Sequence, residues 1–131
     1  MSRVRKVLGW VAGVLLVLSA AAHSLLGGKE LRAALVAAQV PADLLRGTMI
    51  GWHFGGVAML AFGLVVLHSF SRPSGAAAIS LFPARIVAVT YLGFGAAALL
   101  FTGFDPFFLV FVVPGLLLGL AAFGKPARPA S

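Results

Sequence analysis

His23 and His53 stand inside apolar stretches, where an ionisable side chain is costly and usually has a task. His23 lies just before the Gly27-Gly28 pair, and His53 comes shortly after Gly47. At the rise of an α-helix, both imidazoles sit roughly 6 to 9 Å inside the ends of their apolar runs. Two neutral imidazoles at matching depth suit copper, zinc or iron, and they can ligate haem from both sides. Glu30 or Asp43 would add a carboxylate or orient a ring, and Ser19 shares the helix face of His23. The bland alternative is a hydrogen bond between helices, from His23 to Ser19 or to a backbone carbonyl. His68 closes its run and would meet water or headgroups.

Other chemistry is thinly represented. The chain has no cysteine, which removes disulfides, thiolate metal sites and cysteine nucleophiles together. No catalytic residue is assigned, because no triad or nucleophile elbow is visible. Thr90 and Thr102 are expected to bond to their own backbone, and Tyr91 to pack.

These residues have to be positioned by some framework, and composition identifies it. Of 131 residues, 61% are hydrophobic and 10% charged. A soluble domain carries charge near a quarter of its residues, and disordered chains are more polar still. Four continuous apolar runs are each close to the roughly 20 residues that a membrane helix needs. They extend from Val7 to Leu26, Thr48 to His68, Ala84 to Thr102 and Phe107 to Phe123. Continuity, rather than alternation, selects helices over strands. The expected fold is an all-α, four-helix transmembrane bundle, multi-pass in a bacterial inner membrane.

The net charge of +7 is not a nucleic-acid signature, because the cations flank the apolar runs. Arg3, Arg5, Lys6, Arg72, Arg85, Lys125 and Arg128 share one side, against Lys29, Arg32 and Arg46 on the other. The richer side is cytoplasmic, so both termini face the cytoplasm. The segment from Arg3 to Ala22 also fits a cleavable signal peptide. The apolar run continues past that site through Leu25 and Leu26, which favours a retained span.

The long connection from Gly27 to Gly47 reads as an interfacial helix over 29–40, stopped by Pro41, and as a connector unless a site lies beneath it. Asp105 and Pro106 suit the N-cap and first residue of the last helix, Pro114 should bend it, and 125–131 reads as a mobile tail. Phe104, Phe107, Phe108 and Phe111 read as an outer aromatic belt, and Trp52 as an interfacial anchor. Small residues one turn apart let membrane helices approach closely. They occur at Gly9 and Gly13, at Gly47, Gly51 and Gly55, at Gly93 and Ala97, and at Gly115 and Gly119.

The stretch His23-Ser24-Leu25-Leu26-Gly27, with Leu31, Arg46 and Trp52-His53, resembles a pattern in small uncharacterised bacterial four-helix membrane proteins. The resemblance covers the first half of the chain. In this sequence Gly28 and Lys29 precede Glu30, which displaces the acid of that pattern. The family has no settled activity, and the likeness marks His23 and His53 without assigning them a role.

Three function classes are compatible with these residues. One is a metal or haem protein using His23 and His53. Another is an accessory or scaffold subunit, alone or as a homo-oligomer, packed by its glycine faces against a membrane partner. The third is a small transporter or channel, disfavoured because no Asp or Glu lies within a span.

Overall fold

A computed structural model of the chain describes residues 1–71 and 80–124. The expected mobile tail, together with Arg72, Lys125 and Arg128, lies outside them. The described residues hold four helical segments long and apolar enough to cross a membrane.

The first segment is longer than expected. Helix α1 spans Arg3–Ala22, and the Ser2 hydroxyl accepts the Arg5 N–H at its start. A π-helical turn, His23–Gly27, carries it directly into α2, Gly28–Ala37. The expected break at Gly27-Gly28 does not occur. Both glycines hold right-handed helical angles, and the Gly28 N–H bonds to the His23 carbonyl across the widened turn. The run is therefore continuous for 35 residues.

The stop comes at Gln39, which has φ of 54°. Its N–H bonds to Val36 O and the Val40 N–H reaches back to Leu35 O, which closes the open carbonyls of α2. Pro41 then prevents continuation. Helix α3 starts at once and runs Ala42–Ser71, a full turn and more ahead of the expected Thr48.

Helix α4 spans Phe82–Phe101. Gly103 and Phe104 both have φ of 68°, and the Phe104 N–H bonds to Leu99 O. This reverses the chain in very few residues, with glycine at the first left-handed position. Asp105 accepts the Phe107 N–H at 2.9 Å, and Pro106 opens a 3-10 turn, Pro106–Phe108, that leads into α5, Leu109–Phe123. The Asp105-Pro106 cap is as expected. Thr102 bonds to Ala98 O as expected, whereas Thr90 makes no such bond among the described residues.

Helix α1 is central, with an extensive seam to α3 and another to α5; α5 packs on α4, while α3 and α4 meet along a short stretch. The core is Ala12, Leu16, Val66, Phe70, Ala84, Val87, Ala88, Tyr91, Leu118, Ala121 and Ala122. These positions lie at the end of the bundle that carries Arg5 and Arg85. There the Nε groups of Arg5 and Arg85 donate to Ala121 O and Ala122 O, at 2.8 and 3.1 Å, and so cap α5. Toward the opposite end α3 buries nothing before Gly56, and α5 nothing before Pro114.

The glycines divide sharply. A methyl at Gly9 would overlap Phe70, at Gly13 it would overlap Leu67, and at Gly63 it would meet Val17 and the Gly13 carbonyl. A methyl at Gly115 would meet Leu92 at 3.0 Å, and one at Gly119 would touch it at 3.9 Å. Gly47, Gly51 and Gly93 have nothing within 4 Å. The expected Gly47-Gly51-Gly55 packing face therefore contacts α1 through Gly55 alone; the seam uses Gly56 and Gly63 instead, two turns apart on one face. Gly63→Leu is expected to lower stability by about 3 kcal/mol, because backbone as well as side chain blocks the site. Gly51→Leu should leave the thermal unfolding temperature of the detergent-purified monomer unchanged. Equal effects of the two would refute this seam.

Candidate functional site

At the end away from the core, the α1–α3 seam is closed by rings. The His23 imidazole and the Trp52 indole stack, with centroids 4.1 Å apart and planes 9° from parallel. Each ring also bonds to the other residue's backbone. His23 Nε2 lies 3.0 Å from Trp52 O, and the Trp52 Nε1–H donates to His23 O at 2.8 Å. A carbonyl can only accept, so the proton of that contact sits on His23 Nε2.

Local sequence explains the fit. His23-Ser24 is followed by Gly27-Gly28, and Trp52-His53 by Gly55-Gly56. Each glycine pair is the floor for the other helix's rings. A methyl at Gly27 would lie 3.0 Å from the Trp52 ring, one at Gly28 3.3 Å from His53, and one at Gly55 3.3 Å from His23 Nε2. A methyl at Gly56 would collide with the Ser24 hydroxyl. The π turn at His23–Gly27 leaves the His23 carbonyl free to take the indole N–H beside the Gly28 N–H.

This geometry answers the expectations for each residue. His23 is paired by side chain with the Trp52 carbonyl, a form of the interhelical bond expected of it. Ser19 is not its side-chain partner; the Ser19 carbonyl accepts the His23 backbone N–H. Trp52 is half-buried and turned onto His23 rather than outward as an anchor. His53 packs at the level of Gly28, and His23 at the level of Gly55. The two rings thus seat against opposite helices. Glu30 is exposed. Among the described residues no three His, Asp or Glu side chains gather as a metal site. Of the expected aromatic belt, Phe104 and Phe107 are exposed, but Phe111 packs on the core beside Tyr91.

His53 instead lines an open groove of about 630 Å³ between α2 and α3. Its other walls are Arg32 from α2, and Ala42, Leu45, Arg46, Met49 and Ile50 from α3. The α3 residues recur every three or four positions and so share one face. The α2 helix borders this groove through Arg32. Arg46 also lies 3.8 Å from Asp43, with both side chains largely exposed. Sequence reasoning assigns neither Arg32 nor Arg46 to a site: it uses Arg32 as a topology marker, and Arg46 as a marker and as part of the resemblance. The Leu45-Met49-His53 spacing was the available signal.

No protein-family model, curated protein or solved structure matches this chain.

The two hydrogen bonds contribute about 0.6–1 kcal/mol each, and the stack about 0.5–1.5 kcal/mol. His23→Ala and Trp52→Ala are each expected to cost about 2 kcal/mol in thermal unfolding. The double variant should cost little more than either, since both remove one interlock. Trp52→Phe should lose about half as much, keeping a ring but no donor. Fully additive single variants would show that the pair does not act as a unit.

Proposed function

We propose that this chain is a multi-pass inner-membrane protein, with both termini cytoplasmic, whose outward end binds a membrane-derived amphiphile in the α2–α3 groove. The groove carries this reading. It has the volume of a small-ligand site, mostly apolar walls, and three polar residues, Arg32, Arg46 and His53. The orientation rests on the cations: Arg3, Arg5, Lys6 and Arg85 gather at the core end, where Arg5 and Arg85 also cap α5. Retention of α1 is supported by its part in the core through Ala12 and Leu16.

The metal or haem reading, through His23 and His53, is weaker. His23 would have to release the Trp52 carbonyl or ligate through Nδ1. The transport reading would have to use Glu30 or Asp43, the carboxylates of the lengthened first and second segments, and both are exposed.

Native mass spectrometry of the detergent-purified protein tests the groove. A lipid-sized adduct is expected on the wild-type chain and should be strongly reduced by Ile50→Trp, which fills the groove from an exposed position. The same preparation is expected to show no Soret band and less than one metal per chain. A membrane-impermeant amine reagent should label Lys29 from outside intact cells. An adduct unchanged by Ile50→Trp would overturn the groove reading.

The open glycine face favours a second role as an accessory subunit, because Gly47 and Gly51 contact nothing in the monomer. A stoichiometric membrane partner that co-purifies with the wild type and is lost on Gly51→Leu would establish it. Undiminished co-purification would remove it.

A further inference from the structure

We propose that the groove selects an amphiphile bearing a phosphate headgroup, held between Arg32 and Arg46, with its chain along Met49 and Ile50. This rests on the reading of the groove as an amphiphile site and names the ligand chemistry. Arg32 lines the groove from α2 and Arg46 from α3, so two arginines from different helices border the same space. Among the described residues, neither is held by a close acid. Asp43 makes only a long contact with Arg46, at 3.8 Å, and its side chain is 97% exposed. Such a pair contributes little and yields readily to a better acceptor.

Two guanidinium forks present more donors than one carboxylate can accept, whereas a phosphate offers three or more acceptor oxygens. A fatty acid offers the two forks one oxygen each, and a phosphate offers more. The order along α3 matches the polarity of a lipid. Arg46 stands toward the start of the helix, Met49 and Ile50 come one turn on, and His53 stands about 10 Å beyond Arg46. A phosphate at the arginines places the apolar chain against Met49 and Ile50.

The shared chemistry is a phosphate ester on a long apolar chain. A bilayer phospholipid and an isoprenoid phosphate both carry it. Binding of phosphatidylglycerol, a polyprenyl phosphate, diacylglycerol and inorganic phosphate is compared by native mass spectrometry on wild type, Arg32→Gln, Arg46→Gln and Lys29→Gln. Lys29 is a nearby cation outside the groove. All three substitutions are at exposed positions, so the fold is retained.

Phosphorylated lipids are expected to bind at least ten-fold more tightly than diacylglycerol, and each arginine substitution should weaken them roughly ten-fold, the usual scale for a charged hydrogen bond. Lys29→Gln should change nothing. A preference of polyprenyl phosphate over phosphatidylglycerol, or the reverse, identifies the source. Diacylglycerol bound as tightly as both, and displaced by Ile50→Trp, would overturn the phosphate while leaving the amphiphile site intact. Equal weakening by Lys29→Gln would reduce the effect to diffuse charge and overturn the proposal. Inorganic phosphate binding as tightly as the lipids would overturn the amphiphile reading as well.

Discussion

The close approach of α1 to α3 governs the rest of the structure. Their seam is laid down glycine by glycine: Gly9 beneath Phe70, Gly13 beneath Leu67, Gly63 against Val17, Gly56 beneath Ser24, and Gly27 beneath Trp52. Each missing Cβ admits a side chain from the facing helix, and the residues alternate between helices as donor and receiver of space. In the proposed bilayer setting this is the interaction that remains available, since lipid offers apolar side chains the same surroundings that a neighbouring helix does. A central helix held this closely on one side also presents a fixed second face to α5, through Ala12 and Leu16.

Much of the architecture is legible in composition alone. Four apolar runs correspond to four helical segments, and the Asp105-Pro106 cap comes where those residue types place it. The face that each helix uses is not legible. The Gly47-Gly51-Gly55 spacing guarantees a smooth stripe, but nothing in a single helix says whether a neighbour lies on it. Gly56 and Gly63, seven apart, make an equally smooth stripe, and α1 lies there. The Gly27-Gly28 pair reads as a break because glycine weakens helices in water. Here the flanking helix is held by contacts with α3, and the propensity cost of about 1 kcal/mol per glycine is overridden.

The candidate site is half visible in the sequence. His23 and His53 stand out as ionisable residues in apolar runs, but counting residues from helix ends cannot orient a ring. The π turn rotates α2 relative to an unbroken α-helix, so His23 meets Trp52 while His53 lies under Gly28. A pattern in which a histidine-containing pair, His23-Ser24 or Trp52-His53, precedes a glycine pair is present in both segments. Its meaning depends on seeing the two patterns face each other, which is tertiary information.

The two ends of the molecule also differ in the demands they place on the chain. At the core end, arginines from α1 and α4 hold the final carbonyls of α5, and Phe70 and Val66 are fully buried. At the other end, the early turns of α3 bury nothing, and α2 is fastened to it chiefly by the His23–Trp52 interlock. Few buried contacts mean that opening there costs less than opening the core. If the only task were to close the bundle, two rings and four glycines would be better placed where a core lies behind them. The geometrical effect of the interlock is to fix the direction in which the helix leaves the π turn. That direction brings Arg32 of α2 to the same groove as Arg46 of α3.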